Sequence, residues 1–187
     1  MAKKAQSTLI NMLLSLTVIA VVAAAALAAV SGVTKDPIEQ AQKAKKEAAI
    51  KAVLPAFDRI EEMVIDEVPC TQAFNAEGNL VGMAIEAKSS KGFGGDLVAM
   101  VGFDAEGNIT GYQILQTAET PGLGAKAGEW FQEGQKGNVI GKNPATPLAV
   151  SKDGGDVDAI SGSTITSRAF CDLINNAYAT FQKGGNE

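Results

Sequence analysis

Residues Leu9 to Val30 form an almost unbroken apolar run, interrupted only by Asn11, Ser15 and Thr17, all near one end. As a helix rising 1.5 Å per residue, this run reaches about 33 Å, enough to cross a hydrocarbon core of roughly 30 Å. Lys3 and Lys4 precede it, and no acidic residue appears before Asp36. The positive-inside rule then places the N-terminus in the cytoplasm and everything after Ser31 outside. The expected division is a cytoplasmic N-terminus at 1–8, a transmembrane helix at 9–33, a linker helix at 34–55 and an extracytoplasmic domain at 56–187. The competing reading is a cleaved signal peptide, with small-residue cleavage sites between Ala24 and Ala29. An h-region of about 7–15 residues is shorter than this run, which favours a retained anchor. Both readings send the remaining domain outward; a buried core helix is the third possibility.

Composition narrows the chemistry. The formal net charge is -5, and without Lys3 and Lys4 the remainder carries 14 basic against 21 acidic side chains. That balance argues against a nucleic-acid footprint and against a domain lying flat on anionic lipid. There are no histidines, which excludes Ser-His-Asp and Cys-His catalysis and His-bearing metal sites. Cys70 and Cys171 are the only cysteines, too few for a four-cysteine zinc or iron–sulfur site. They pair as a disulfide in an oxidising compartment or remain two buried thiols, the reading preferred. Redox work in such a chain rests on an organic cofactor or on a dithiol, for which the sequence holds no CxxC.

Asp36-Pro37 predicts a helix start, with Asp at the cap and Pro in the first turn. Ile38, Ala41, Ala48 and Ala52 are its expected apolar face, Pro55 its end, and its lysines a solvated face, with lipid headgroups as the alternative contact. Beyond it lies an internal repeat. Phe74-Asn75-Ala76-Glu77-Gly78-Asn79 aligns with Phe103-Asp104-Ala105-Glu106-Gly107-Asn108, and the likeness runs on to Ile85 and Ile114. Each copy reads as strand, tight turn, strand, which predicts two hairpins in one antiparallel sheet. Residues Ser167 to Gln182 carry Phe170, Leu173, Ile174, Ala177, Tyr178 and Phe181 at helical spacing and predict an amphipathic C-terminal helix ended by Gly184-Gly185. The fold class is α+β.

Two segments are candidates for chemistry. Gly122-x-Gly124-x-x-x-Gly128 approaches a dinucleotide fingerprint, but the spacing is off by one and Pro121 interrupts the strand that should precede it. The stronger segment runs from Asp156 to Arg168 and holds five hydroxyls, Ser161, Ser163, Thr164, Thr166 and Ser167, around Gly162. Placed before a helix, it offers free N–H groups and the positive dipole end to an anion. A helix cap is the bland alternative, although capping uses one hydroxyl and not five.

Ser161-Gly162-Ser163-Thr164-Ile165-Thr166 resembles the flavinylation motif of FMN-binding domains, Ser/Thr-Gly-Ala-Thr-x-Thr, in which a flavin transferase attaches FMN to a threonine through its phosphate. Asp158 matches the acidic residue before that motif. Glu119-Thr120-Pro121-Gly122-Leu123-Gly124 resembles a second segment of the family, which lies against the flavin, and Lys152-Asp153-Gly154-Gly155 a third. With its single N-terminal span, the whole chain resembles the G subunit of Rnf electron-transport complexes, related to the C subunit of sodium-pumping NADH:quinone oxidoreductases.

The resemblance implies covalent FMN on Thr164, with Thr166 the second choice. Ser163 stands where the family carries alanine. It further implies that Ser161, Gly162 and Ser163 surround the attachment point and that the ring lies on Thr120, Leu123 and Gly124 beside Glu119. Gly92 to Gly95 are expected to contribute close backbone. Lys126, Lys152 or Arg168 would balance the phosphate, with Asp158 ahead of the motif. The implied partners are the other membrane subunits of an Rnf complex and, during maturation, the flavin transferase. The implied role is a one-flavin electron relay within an ion-translocating ferredoxin:NAD oxidoreductase, not an enzyme on its own. Two rivals remain open: an anchored extracytoplasmic binding or scaffold domain without cofactor, and a soluble flavoprotein released by signal cleavage.

Overall fold

The computed structural model describes residues 8–184. Lys3, Lys4 and Gly185, used above for orientation and for the C-terminal helix end, lie outside them. The chain divides into two compact units, Met1–Ala44 and Lys45–Glu187.

Helix α1 runs from Leu9 to Val53 without a break. Its apolar part is long and apolar enough to cross a membrane, and none of it is buried in the protein. The expected second helix start at Asp36 does not occur: Pro37 sits inside the helix. Proline costs a helix interior one hydrogen bond. The following Ile38–Val53 stretch has no glycine and is rich in Ala, Lys, Gln and Glu, which carry the helix onward. It ends two residues before Pro55, whose ring disfavours helical backbone at Leu54.

The second unit is built on a five-stranded antiparallel meander, β1 (Arg59–Ile65), β2 (Val68–Phe74), β3 (Leu80–Ser89), β4 (Leu97–Asp104) and β5 (Ile109–Gln116), in that spatial order. The sequence repeat is the β2–β3 and β4–β5 hairpins. In the first turn Asn75 Oδ1 accepts the N–H groups of Glu77 and Asn79 at 3.0 and 2.9 Å. In the second, Asp104 Oδ1 accepts those of Glu106 and Asn108 at 3.0 and 2.8 Å. Gly78 and Gly107 take φ of 84° and 83°, the left-handed region that excludes most side chains. Strand β1 is an addition to the sequence reading. Its turn to β2 is Asp66-Glu67, both at positive φ, where no glycine marks it.

One sheet face is covered by α3 (Thr164–Gly184), whose Phe170, Leu173, Ile174, Ala177 and Phe181 pack on Met83, Ile85, Val101 and Phe103. The other face takes the end of α1. There Ala49, Ile50, Val53 and Leu54 pack on Ala73, Ala84 and Met100, while the expected contacts Ala48 and Ala52 are exposed. Gly102 makes this docking possible, because a Cβ there would lie 2.1 Å from Val53 O. Thr110 Oγ1 donates to that same carbonyl and so satisfies one of the helix's free C-terminal acceptors. Lys45 and Lys46 are not simply solvated: Lys45 donates to Leu115 O, and Lys46 pairs with Glu86 at 2.7 Å.

Candidate functional site

The segment between β5 and α3 has little regular structure and is held by aromatic packing. Phe131 stacks on Phe170 with ring centroids 4.1 Å apart, and Tyr112 meets Phe170 edge-on at 4.7 Å. Tyr112 donates to Ala127 O at 2.6 Å, and burial pushes its phenol pKa upward. These contacts fix α2 (Ala127–Trp130), and with it the turn Glu119–Lys126, against the second turn of α3.

Helix α3 starts three residues earlier than the apolar periodicity alone predicts. Gly162 at φ 77° turns the chain, Ser163 N donates to Ile160 O, and Ser167 N donates to Ser163 O as the first helical bond. The amides of Thr164, Ile165 and Thr166 therefore have no intrahelical acceptor. The hydroxyls divide the work. Ser167 Oγ accepts from Ile160 N at 2.9 Å and donates to Ser163 O at 3.0 Å, stapling the turn. Thr164 Oγ1 accepts from Lys152 Nζ at 3.3 Å. Thr166 is 1% exposed, and its Oγ1 has no hydrogen-bond partner. A buried polar atom of this kind costs stability unless something occupies it.

A cavity of about 390 Å³ opens here, lined by Phe93, Glu119, Thr120, Leu123, Lys152, Gly162, Ser163, Thr164, Ile165 and Thr166. That volume lies within the range of small-molecule and cofactor sites. The cavity gathers eight of the sequence candidates. Four others stand outside its lining: Ser161, Gly124, Lys126 and Asp158. Gly124 is nonetheless required at its edge, since a Cβ there would lie 2.5 Å from Glu119 Oε2 and 2.7 Å from Thr166 Oγ1. Asp158 accepts from Ser151 Oγ at 3.3 Å, and its carbonyl accepts from Trp130 Nε1 at 2.8 Å, so it braces the neighbouring turn.

Of the three expected cations, the structure places Lys152 in the cavity. Arg168 is engaged elsewhere, forking onto Asp153 at 2.6 and 2.7 Å. The guanidinium holds the Asp153 carboxyl below its ordinary range, and Asp153 raises the arginine in return. Gly92 and Gly94 also differ from expectation. Their close approaches are to Glu119 and Ala118, and it is Phe93 between them that reaches the cavity. Sequence reasoning missed Phe93 and Ile165; a lone aromatic inside Gly-Phe-Gly-Gly was the signal available for the first.

The floor of the cavity is polar and cationic at one end, with a lysine, free helix amides and an orphaned hydroxyl. Its rim is apolar, formed by Phe93, Leu123 and Ile165. Such a site fits a flat aromatic ring bearing a phosphate. The FMN-binding domain family matches residues 92–179, a span containing every residue of the cavity. The G subunit of the ion-translocating oxidoreductase complex of Methanosarcina acetivorans is 30% identical over 184 residues, covering 92% of this chain and 95% of that one.

This chain belongs to the G-subunit family of ion-translocating oxidoreductase complexes.

The G subunit of a Na(+)-translocating ferredoxin:NAD(+) oxidoreductase complex from Acetobacterium woodii is 35% identical over 113 residues, 57% of this chain and 52% of that protein. A crystal structure of Shewanella oneidensis NqrC is similar at a TM-score of 0.49 and 21% identity, covering 64% of this chain and 59% of that one. The two cysteines are buried and unpaired, as preferred from the sequence. Among the described residues no cluster of His, Cys, Asp or Glu is arranged to hold a metal.

Proposed function

We propose that this G-subunit family member is a membrane-anchored electron relay that carries one FMN, joined through its phosphate to Thr164, within an Rnf-type ion-translocating complex. The observation that carries the reading is the meeting, in one cavity, of Thr164, Lys152 and the unpartnered Thr166 hydroxyl beneath an apolar rim. The free amides of α3, where the dipole favours negative charge, would hold the phosphate. Lys152 balances it. Glu119, Thr120 and Leu123 border the ring.

Burial separates the two candidate acceptors. Thr164 is partly exposed, whereas Thr166 Oγ1 is sealed from solvent. A transferase reaches the first and not the second. In the attachment, with a flavin dinucleotide as donor, a bond forms between Thr164 Oγ1 and the FMN-side phosphorus, the pyrophosphate P–O bond breaks, and the nucleoside monophosphate leaves with the hydroxyl proton. The chain gains FMN minus water. Threonine is a weak nucleophile when unassisted, so a separate flavin transferase performs the step. The bound flavin supplies the electron chemistry, and the protein sets its position and exposure.

The apolar helix is the anchor, Lys3 and Lys4 lie on the cytoplasmic side, and the flavin domain faces outward. A covalent tether suits that side, where no flavin pool replaces a lost cofactor. The partners are the other membrane subunits of the complex, with Ala20 and Ala23 to Ala26 permitting close helix approach. The test is a denaturing gel of the protein from its host, or coexpressed with its transferase, viewed under ultraviolet light. A fluorescent band supports the covalent flavin. A dark band, with the transferase active on a control, overturns the covalent link to Thr164.

A further inference from the structure

We propose that Phe93 is the aromatic cover of the flavin ring and the residue that sets its exposure to solvent; this rests on FMN occupying the cavity described above. Phe93 lies between β3 and β4 and lines the cavity, yet the residue is 71% exposed. Its backbone is held from three sides. Phe93 N donates to Glu119 Oε1 at 2.8 Å. A Cβ on Gly92 would lie 2.9 Å from that same oxygen, and one on Gly94 would lie 2.1 Å from Ala118 O, so the flanking glycines let the loop press onto the Ala118-Glu119 segment that follows β5. At the base of the loop, Asp172 of α3 accepts from Ser89 Oγ at 2.8 Å and pairs with Lys91.

The loop is thus pinned, and its one large apolar side chain stands exposed at the cavity mouth. Leu123 and Ile165, 43% and 49% exposed, complete the rim. Phe93 is the only aromatic among the cavity-lining residues, and aromatic rings favour offset or edge contacts with one another. The fixed backbone gives the ring a defined place, and the Glu119 carboxylate that fixes it borders the same cavity. Occupancy of the site and placement of Phe93 therefore share one side chain.

The test uses the full flavinylated chain and three variants, Phe93→Ala, Phe93→Leu and Phe93→Trp, with FMN load read by intact mass. Iodide quenching of flavin emission reports solvent access. Measured on the FMN-bearing fraction of each variant, Phe93→Ala and Phe93→Leu are expected to raise the quenching constant severalfold, and Phe93→Trp to hold it at the wild-type level. Phe93→Leu keeps apolar volume and guards against loss of folding in the alanine variant. Quenching equal to wild type in the loaded Ala and Leu variants overturns the role of Phe93 alone. Wild-type protein without FMN overturns the underlying reading and this proposal with it.

Discussion

Arg168 grips Asp153 with a two-point fork, Nε to Oδ2 at 2.6 Å and Nη2 to Oδ1 at 2.7 Å, and so ties the turn bearing Lys152 to the first turns of α3. The residue that the sequence offers as a phosphate partner instead holds the turn that presents the partner. Lys152 Nζ reaches Thr164 Oγ1 from the residue next to the fork.

Breaking the fork should affect the site more than the fold. The pair is exposed, and exposed ion pairs contribute little to stability. Arg168→Ala is expected to leave the melting temperature nearly unchanged while lowering the fraction of chains carrying FMN, read by intact mass. The pH dependence has a definite sign. Asp153 is depressed by Arg168 in the folded protein, so its contribution is full above the ordinary carboxylate pKa of about 3.9. It disappears as pH falls through the lower folded value. The small stability difference between wild type and Asp153→Asn should be constant from neutral pH to mild acid and vanish only in strong acid.

Gly124 is a packing requirement at the cavity edge. The absent side chain leaves room for Glu119 Oε2 and Thr166 Oγ1, each under 3 Å from where a Cβ would stand. Gly124→Ala should destabilise the domain by about 1–3 kcal/mol, the usual cost of overpacking, measured by urea unfolding. It should also reduce FMN incorporation, because both displaced groups belong to the site. A variant as stable as wild type would show that the turn relaxes freely.

Both thiols are buried and held in their protonated, unreactive form. Burial pushes Cys70 up to about 11; burial, with Asp156 adding, pushes Cys171 up to about 12. At pH 8 the native protein should resist a thiol reagent, and both cysteines should react once it is unfolded. Rapid native labelling of either one would contradict the burial.

Much of this architecture is legible in the sequence where local chemistry and tertiary structure agree. The Asn75 and Asp104 turns announce their hairpins because one side chain and one glycine determine each turn. The apolar stripe of α3 announces its buried face, and the hydroxyl cluster together with Glu119–Gly124 announces the cavity. Pro37 reads as a boundary by its own chemistry, but the helix formers after it outweigh a single lost hydrogen bond. The contact face of α1 falls on Ala49, Ile50 and Val53 because Gly102, far away in sequence, admits the helix end. Arg168 reads as a free cation until Asp153 is brought beside it. The last two depend on a partner that no local pattern names.

The central claim is that Thr164 is the flavin acceptor, and peptide mass mapping tests it most directly. Trypsin cuts after Lys152 and Arg168 and releases residues 153–168, which hold both Thr164 and Thr166. For protein made with its transferase, the account predicts this peptide heavier by FMN minus water, with fragment ions placing the addition on Thr164. It also predicts no addition in Thr164→Val and retained addition in Thr166→Val. An addition mapped to Thr166, or an unmodified peptide made alongside a transferase active on a control, would contradict it.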